Sequence, residues 1–442
     1  MKTYNHDYSN LRLLKDYMKK NISNQEYSSV GVQIFIGNIE NKDITIKIIE
    51  VIKSRIPDAQ IIGATTDGEI VNGAIVEGTI TISFFVFKKS FAKSFYYENN
   101  DLEMLNTCEI IVDAPSSCIA ANIKKNLPDE TKVIILLSDG LKTNAESLID
   151  KIHKMIDIPV IGGTAGDNER FSKTFVIEGN SSVFCESGVV GFYLYGADLR
   201  THCYYNDGWM GIGREFTITK SNKNVVQEIN GMNALDFFKY YLSVDSTSII
   251  KEMIVRFPLM VIRNGLEVYR AILGIDSNGY CIFASNIIEG EKFKISVGIS
   301  NDLIENSRVN ANTLINFDPE SVFTYSCMAR KKMLLSESVL EIDMLKTIKS
   351  TVVGFFTYGE FYKRGDYSAY HNETCSVLGL SENKKNKDRI EIKKRSPKFK
   401  KFLTEQLPSP ASLVSNFLNR TNEDYLLISQ EIYRRYVWCS LL

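Results

Sequence analysis

Apolar and polar positions along this chain follow two rhythms. Leu11, Leu14 and Met18 fall at helical spacing, and residues 1–25 read as a short amphipathic helix. Residues 30–36 read as a strand ending at Gly37, and Ile44, Ile48, Val51 and Ile52 mark the apolar face of a helix over 41–55. A strand over 59–62 runs into a glycine turn, and 79–87 has the β-branched and aromatic content of a buried strand. Strand, helix and strand in that order predict a parallel α/β unit. The theme recurs with a helix over 118–126, an apolar strand over 132–137, a helix over 144–155 and a strand over 159–161. Short strands over 174–177, 181–185 and 188–195 follow, separated by turn residues.

Beyond residue 204 the pattern loosens. Strands are expected over 216–219, 225–229, 292–297, 322–326, 352–356 and 376–380, and helices over 233–242 and 337–349. The clearest hairpin joins 267–275 to 280–285 through Asp276, Ser277, Asn278 and Gly279. After Ser381 come helical stretches over 413–418 and 424–436, with Thr421 as N-cap and Asp424 as its partner three residues on. The expected fold class is α/β: two mixed or parallel-sheet domains and a short helical C-terminal tail. The boundaries are an N-terminal helix at 1–27, domains at 28–204 and 205–380, and a basic connector with helical tail at 381–442.

The chain has 442 residues, 44% of them hydrophobic, enough for two or three packed domains and too many for a mainly disordered chain. Its formal charge of -1 hides an asymmetry. Residues 382–401 hold 10 basic and 3 acidic side chains, so this short stretch carries +7 and the remainder -8. Eight scattered cysteines, with no C-x₂-C pair and no clustered histidines, suit buried intracellular thiols better than disulfides or structural zinc. The N-terminus lacks the apolar core of a signal peptide, and no apolar run approaches a membrane span. These features predict a cytoplasmic protein with no cofactor, metal or nucleic-acid partner.

Candidate chemistry sits in the glycine turns after strands. Residues 63–70 read Gly-x-x-Thr-x-Gly-Glu-apolar, and 354–361 repeat that pattern 291 residues later. Related loops in two related halves would explain it; so would two tight turns that each select glycine. Thr66 and Thr357 offer hydroxyls, and Glu69 and Glu360 either meet a ligand cation or brace their own loops. The turn at 162–167 opens on two adjacent glycines and ends on the acceptor Asp167, but it lacks GxGxxG spacing, so a phosphate site is weakly supported. Arg270 reads as a carboxylate binder or a surface hairpin arginine. Cys327 reads as a thiol activated by Arg330 or as an inert buried one. His371 reads as a ligand-binding, catalytic or structural histidine.

These loops carry a resemblance. IIGATTDGEI, LLSDG, VIGGTAGD and SGVVGFYLYG in the first half, with YRAILGID, TYSCMARKKML, GFFTYGEF and HNETCSVLGL in the second, resemble the FIST sensory family. The match spans roughly residues 28–380, and its members pair a FIST N-terminal with a FIST C-terminal domain. The resemblance implies a ligand-sensing module of bacterial signal transduction, with amino acids as proposed ligands and a kinase, cyclic-dinucleotide or chemoreceptor output. It implies as ligand-facing residues Thr66, Glu69, Gly163, Asp167, Arg270, Cys327, Arg330, Tyr358, Glu360, His371 and Asn372. Where the family usually has GCSTAGE, this chain has Ala64 and Asp67, which change the polarity there.

The expected function is therefore a small-ligand sensor, with no output domain fitting after residue 380 and a signal passed to a separate partner. A zwitterionic amino acid would place its carboxylate on Arg270 or Arg330 and its ammonium on Glu69, Asp167 or Glu360. The alternatives are an enzyme with Cys327 as nucleophile and His371 as base, and a protein-interaction scaffold docking through the basic segment.

Overall fold

The computed structural model describes residues 1–23, 25–99, 114–263, 265–298, 300–334, 338–346, 351–383 and 410–421. The chain forms two compact units, Met1–Asp207 with Ile304–Ile392, and Gly208–Leu303 with Lys393–Leu442. The expected boundaries at 27, 204 and 380 divide the sequence into contiguous segments, whereas these units interleave. The basic stretch and the helix expected over 424–436 lie outside the described residues, apart from its first two residues, Glu382 and Asn383.

The first unit is built on a repeated order of elements. It starts with β1 (Lys2–Asp7), α1 (Leu11–Asn21), β2 (Ser29–Ile36), α2 (Lys42–Arg55) and β3 (Gln60–Thr65). A hairpin of β4 (Glu69–Val71) and β5 (Ala74–Val76) follows, then β6 (Ile80–Phe87). The same order returns as β7 (Phe91–Glu98), α3 (Ala114–Lys125), β8 (Thr131–Ser138), α4 (Ala145–Met155) and β9 (Val160–Thr164). The hairpin of β10 (Val176–Glu178) and β11 (Val183–Cys185) and the strand β12 (Gly188–Tyr195) complete it. A third copy opens with β13 (Arg200–Asn206), and there the chain leaves the first unit.

The second unit contains β14 (Trp209–Asn222), β15 (Val225–Ile229), β16 (Met232–Asn233), α5 (Ala234–Leu242) and α6 (Thr247–Met253). It continues with β17 (Leu259–Arg263), β18 (Leu266–Arg270), β19 (Ile272–Ile275), β20 (Cys281–Phe283) and β21 (Lys292–Gly298). Its antiparallel sheet runs β18-β17-β21-β14-β15-β20-β19, and the two edge strands are separated in sequence only by Ala271, giving a nearly closed barrel. The expected hairpin at Asp276–Gly279 is there, with Ile275 opposite Cys281, but its first arm breaks at Ala271 into two strands. Phe216 packs edge-on against Phe237 and Tyr241, with ring centroids 4.9 Å away in both cases.

The chain re-enters the first unit within α7 (Ser300–Phe317) and completes the third copy. β22 (Ser321–Cys327), α8 (Met328–Leu334), α9 (Ser338–Lys346) and β23 (Thr351–Thr357) precede the hairpin of β24 (Glu360–Arg364) and β25 (Tyr367–His371), and β26 (Cys375–Ser381) closes it. In the second unit, α10 (Pro410–Thr421) ends the described chain; Thr421, expected as an N-cap, is its last residue and donates to Leu418 O.

Three six-stranded sheets result, with orders β1-β6-β2-β3-β10-β11, β7-β12-β8-β9-β24-β25 and β13-β26-β22-β23-β4-β5. In each, one repeat supplies a central parallel pair, its antiparallel neighbour and an edge strand; the other edge is a hairpin from a different repeat. The first repeat gives its hairpin to the third sheet, the third to the second, and the second to the first. Parallel centres covered on both faces explain the continuous apolar runs. The inner faces meet in one core, where Phe85 lies edge-on to Phe192 and Phe323 at 5.3 and 5.4 Å. Helices cover the outer faces: Leu14 and Ile48 over the first sheet, Ile123 and Leu148 over the second, Leu314 and Leu345 over the third. The two loops with matching patterns thus belong to the first and third repeats of one unit.

Candidate functional site

The hairpin exchange brings three turns together. Residues 66–68 join β3 to β4, residues 165–175 join β9 to β10, and residues 358–359 join β23 to β24. Each begins near a glycine, Gly63, Gly162 or Gly354, that lies opposite the neighbouring strand at Ile34, Leu136 or Thr324. A Cβ at Gly354 would stand 1.7 Å from Thr324 O, and one at Gly162 1.9 Å from Leu136 O, so only glycine fits. The turns are tied by backbone bonds. Phe356 N donates to Gly68 O (2.8 Å), Thr164 N to Gly359 O (2.9 Å) and Gly166 N to Thr65 O (2.9 Å).

The first and third turns share one device. Thr66 donates to Glu69 Oε1, and Thr79, just before β6, gives its amide and hydroxyl to Glu69 Oε2 at 3.2 and 3.0 Å. Thr357 donates to Glu360 Oε1 at 2.5 Å, and Thr374, just before β26, to Glu360 Oε2 at 2.7 Å. Both glutamates are fully buried. Burial raises the pKa of Glu69, and it pushes Glu360 up to about 8, against the pull of the threonine donors. The repeated Thr–Glu pattern therefore braces its own loops. Gly163 lies in β9 opposite Glu360, where a Cβ would meet Thr357 Cγ2 at 2.5 Å.

The second turn is built differently. Asp167 accepts from the amides of Phe171 (2.8 Å), Ser172 (2.8 Å) and Lys173 (2.9 Å), and the Tyr358 hydroxyl donates to it. Burial opposes its ionisation, but these donors win and hold the carboxyl below its usual range. Asn168, Glu169 and Phe171 all take left-handed backbone angles, φ 56, 60 and 48°. The half-exposed Phe171 ring stacks on Tyr358 at 4.5 Å and 19°. Under this turn lies Asp67, 5% exposed. Its Oδ1 accepts from Glu169 N at 3.0 Å, while its buried Oδ2 has no hydrogen-bond partner among the described residues. Burial pushes its carboxyl up to about 7. A Cβ at Gly166 would come within 2.9 Å of Asp67 Cγ, so that glycine lets the turn approach.

The other expected residues spread out. Arg330, on α8, is fully buried; its fork holds Glu341 (Nε 3.1 Å to both oxygens, Nη2 2.9 Å to Oε1), and Nη1 donates to Asp207 O at 2.7 Å. Its bidentate carboxylate is thus an internal one. Cys327, at the end of β22, has its thiol raised well above the ordinary value by burial and then by Glu360 and Glu373, which agrees with the inert buried reading and not with activation by Arg330. His371 Nε2 lies 2.8 Å from the Tyr367 hydroxyl and its ring stacks on Tyr205 at 4.6 Å, while Asn372 donates to Tyr358 O. Arg270 belongs to the second unit, unlike the other ten, and is 1% exposed, so the surface-arginine reading fails; Nη1 donates to Tyr269 O at 3.3 Å. Among the described residues, no group of three or more His, Cys, Asp and Glu could hold a metal ion.

Sequence reasoning missed Phe171 and weighed Asp67 only as a departure from the usual turn. That departure, with Gly166 opposite it, was the available signal.

Comparison with known proteins adds the family. Residues 32–232 match the FIST N domain and residues 234–363 the FIST C domain. The chain is also similar to an uncharacterised protein of Methanocaldococcus jannaschii, 23% identical over 400 residues that cover 81% of this chain and 76% of that protein.

Proposed function

The chain belongs to the FIST family, and from that premise we propose that it is a sensor that binds a small polar molecule and passes a conformational signal to a separate output partner. FIST domains are generally implicated in small-molecule sensing and signal transduction. The observation that carries the reading to a place is the junction of three turns, where a buried carboxylate oxygen of Asp67 lies without a partner beside a strained turn. Buried polar groups are almost always paired, and left-handed non-glycine residues gather at functional sites. Both features suit a position that a ligand completes.

The mechanism is a population shift. A ligand that satisfies Asp67 stabilises one arrangement of the second turn over others and biases the state read by the partner. Backbone bonds from this turn to the other two give a contiguous route into all three sheets. Asp67, Asp167, Tyr358 and Phe171 make up the contact set, with Glu69, Glu360 and Gly163 as its frame. An amino acid is the ligand class we favour, and the cytoplasm the compartment, where buried thiols such as the six cysteines among the described residues stay reduced. No helix among the described residues is long and apolar enough to cross a membrane. The raised Cys327 thiol weighs against the nucleophilic-cysteine alternative.

Native mass spectrometry of freshly purified full chain, then calorimetry against the common amino acids, tests this. A retained or titrating amino acid supports it; no binding across the panel overturns the amino-acid ligand.

A further inference from the structure

The three turns are topologically equivalent, so the point where they differ separates folding from something else. Two are short and closed by a Thr–Glu–Thr clasp. The second has Ala165 and Asn168 where the others have threonine and glutamate, and it runs to residue 175 before β10 begins. Its length is not needed to cross between sheets, because the other two cross without it.

The unpartnered atom belongs to the carboxyl that packs against this lengthened turn. Asp67 is held from one side by Glu169 N and from beneath by Gly166, and its Oδ2 is buried with its hydrogen-bonding capacity unused. The charges around it select the sign of what can pair there. Asp167 and Glu169 come from the turn, and Glu69 and Glu77 from the first hairpin. The nearby lysines already have partners: Lys331 pairs with Glu77, Lys332 with Glu169, and Lys173 with Glu186. Arg170 of the turn is exposed, and Tyr358 is committed to Asp167. Lys331 also donates to Asp67 O at 3.2 Å, and with Glu77 and Glu169 paired the carboxylates here without a cationic partner among the described residues are Asp67 and Asp167. A ligand anion would add to that excess, whereas a cationic donor would satisfy Oδ2 and offset it.

Resting on the sensor reading, we infer that Asp67 and the turn at 165–175 form a recognition site for a primary ammonium group. Asp67 Oδ2 accepts one ammonium hydrogen, and the stacked Phe171 and Tyr358 rings flank the ligand's apolar part. Because burial pushes the Asp67 carboxyl up to about 7, ammonium binding competes with its proton. Affinity then rises with pH through neutrality and is lost in acid.

The test is calorimetry on the full chain with n-butylammonium, whose amine, like that of a lysine side chain, stays charged to beyond pH 9, against the uncharged n-butanol. At pH 8, butylammonium is expected to bind at least tenfold more tightly than butanol, to weaken roughly tenfold or more at pH 5.5, and to lose at least tenfold in Asp67→Asn. Equal binding of the two probes, no butylammonium binding, or an unchanged Asp67→Asn variant overturns the inference. The failures are separable. An amino acid that binds wild type and Asp67→Asn alike leaves the sensor reading standing and removes this site. Butylammonium binding that depends on Asp67, with no amino acid binding, leaves the site and removes the amino-acid ligand.

Discussion

The third turn of the first unit, and the place where its first turn meets the second, hold opposite kinds of buried carboxylate. Glu360 is fully buried and both its oxygens are taken by threonine hydroxyls from its own repeat. Asp67, beneath the second turn, has one oxygen bonded and one without a partner. The first arrangement leaves neither carboxylate oxygen without a donor; the second leaves one. Matching patterns in the sequence therefore point to the frame, and the departure from the pattern points to the proposed site.

That contrast is broken most forcefully at Arg330. The expectation of a ligand carboxylate there makes Arg330→Ala a binding variant, whereas its pairing with Glu341 makes it a stability variant. Arg330→Ala leaves Glu341 buried and unpaired and should cost about 3–5 kcal/mol in urea unfolding. Next is the clasp. Thr357→Val removes a donor from buried Glu360 and should destabilise by about 1–3 kcal/mol, with Thr66→Val acting on Glu69 in the same direction.

The clasp also has a pH signature. Glu360 and Glu373, both fully buried, are pushed up to about 8, first by burial. An unfolded glutamate titrates at about 4.3, so the folded state binds more protons between those values. Stability from these groups is present in full below the unfolded value and falls as pH rises through about 8. Glu360→Gln should flatten that fall in melts taken from pH 5 to 9; an unchanged slope would remove Glu360 from the explanation.

The smallest stability effect belongs to the second turn. Phe171 touches Tyr358 from a half-exposed position, and Phe171→Ala should move unfolding by no more than about 0.5 kcal/mol while weakening butylammonium binding. A large stability loss there would make the turn a structural brace like the other two.

Much of the frame could be read in advance. The strands that became β2, β6, β8 and β12 are continuous apolar runs because both faces of each sheet are covered. The edge strands β1 and β7 escape the pattern, since a strand exposed on one side carries polar residues such as Lys2, Asp7 and Lys93 that dilute the signal. Helix α7 was missed for a similar reason: its asparagines and serines blur the helical period. The threefold order was hidden because the second unit interrupts the third repeat and the hairpins pair across repeats, so neither spacing nor adjacency reports it. Only the Thr–Glu clasp survived as a pattern, in the two repeats that keep it. Asp67 could be marked as unusual, but its partnerless oxygen depends on a turn a hundred residues away.

Hydrogen–deuterium exchange of the full chain with and without n-butylammonium at pH 8 tests the central claim most directly. The account predicts slowed exchange confined to peptides covering 66–68 and 165–175, with the clasped turn at 354–361 already protected and unchanged. Protection at 354–361 with none at 165–175, or no change in either, would contradict it.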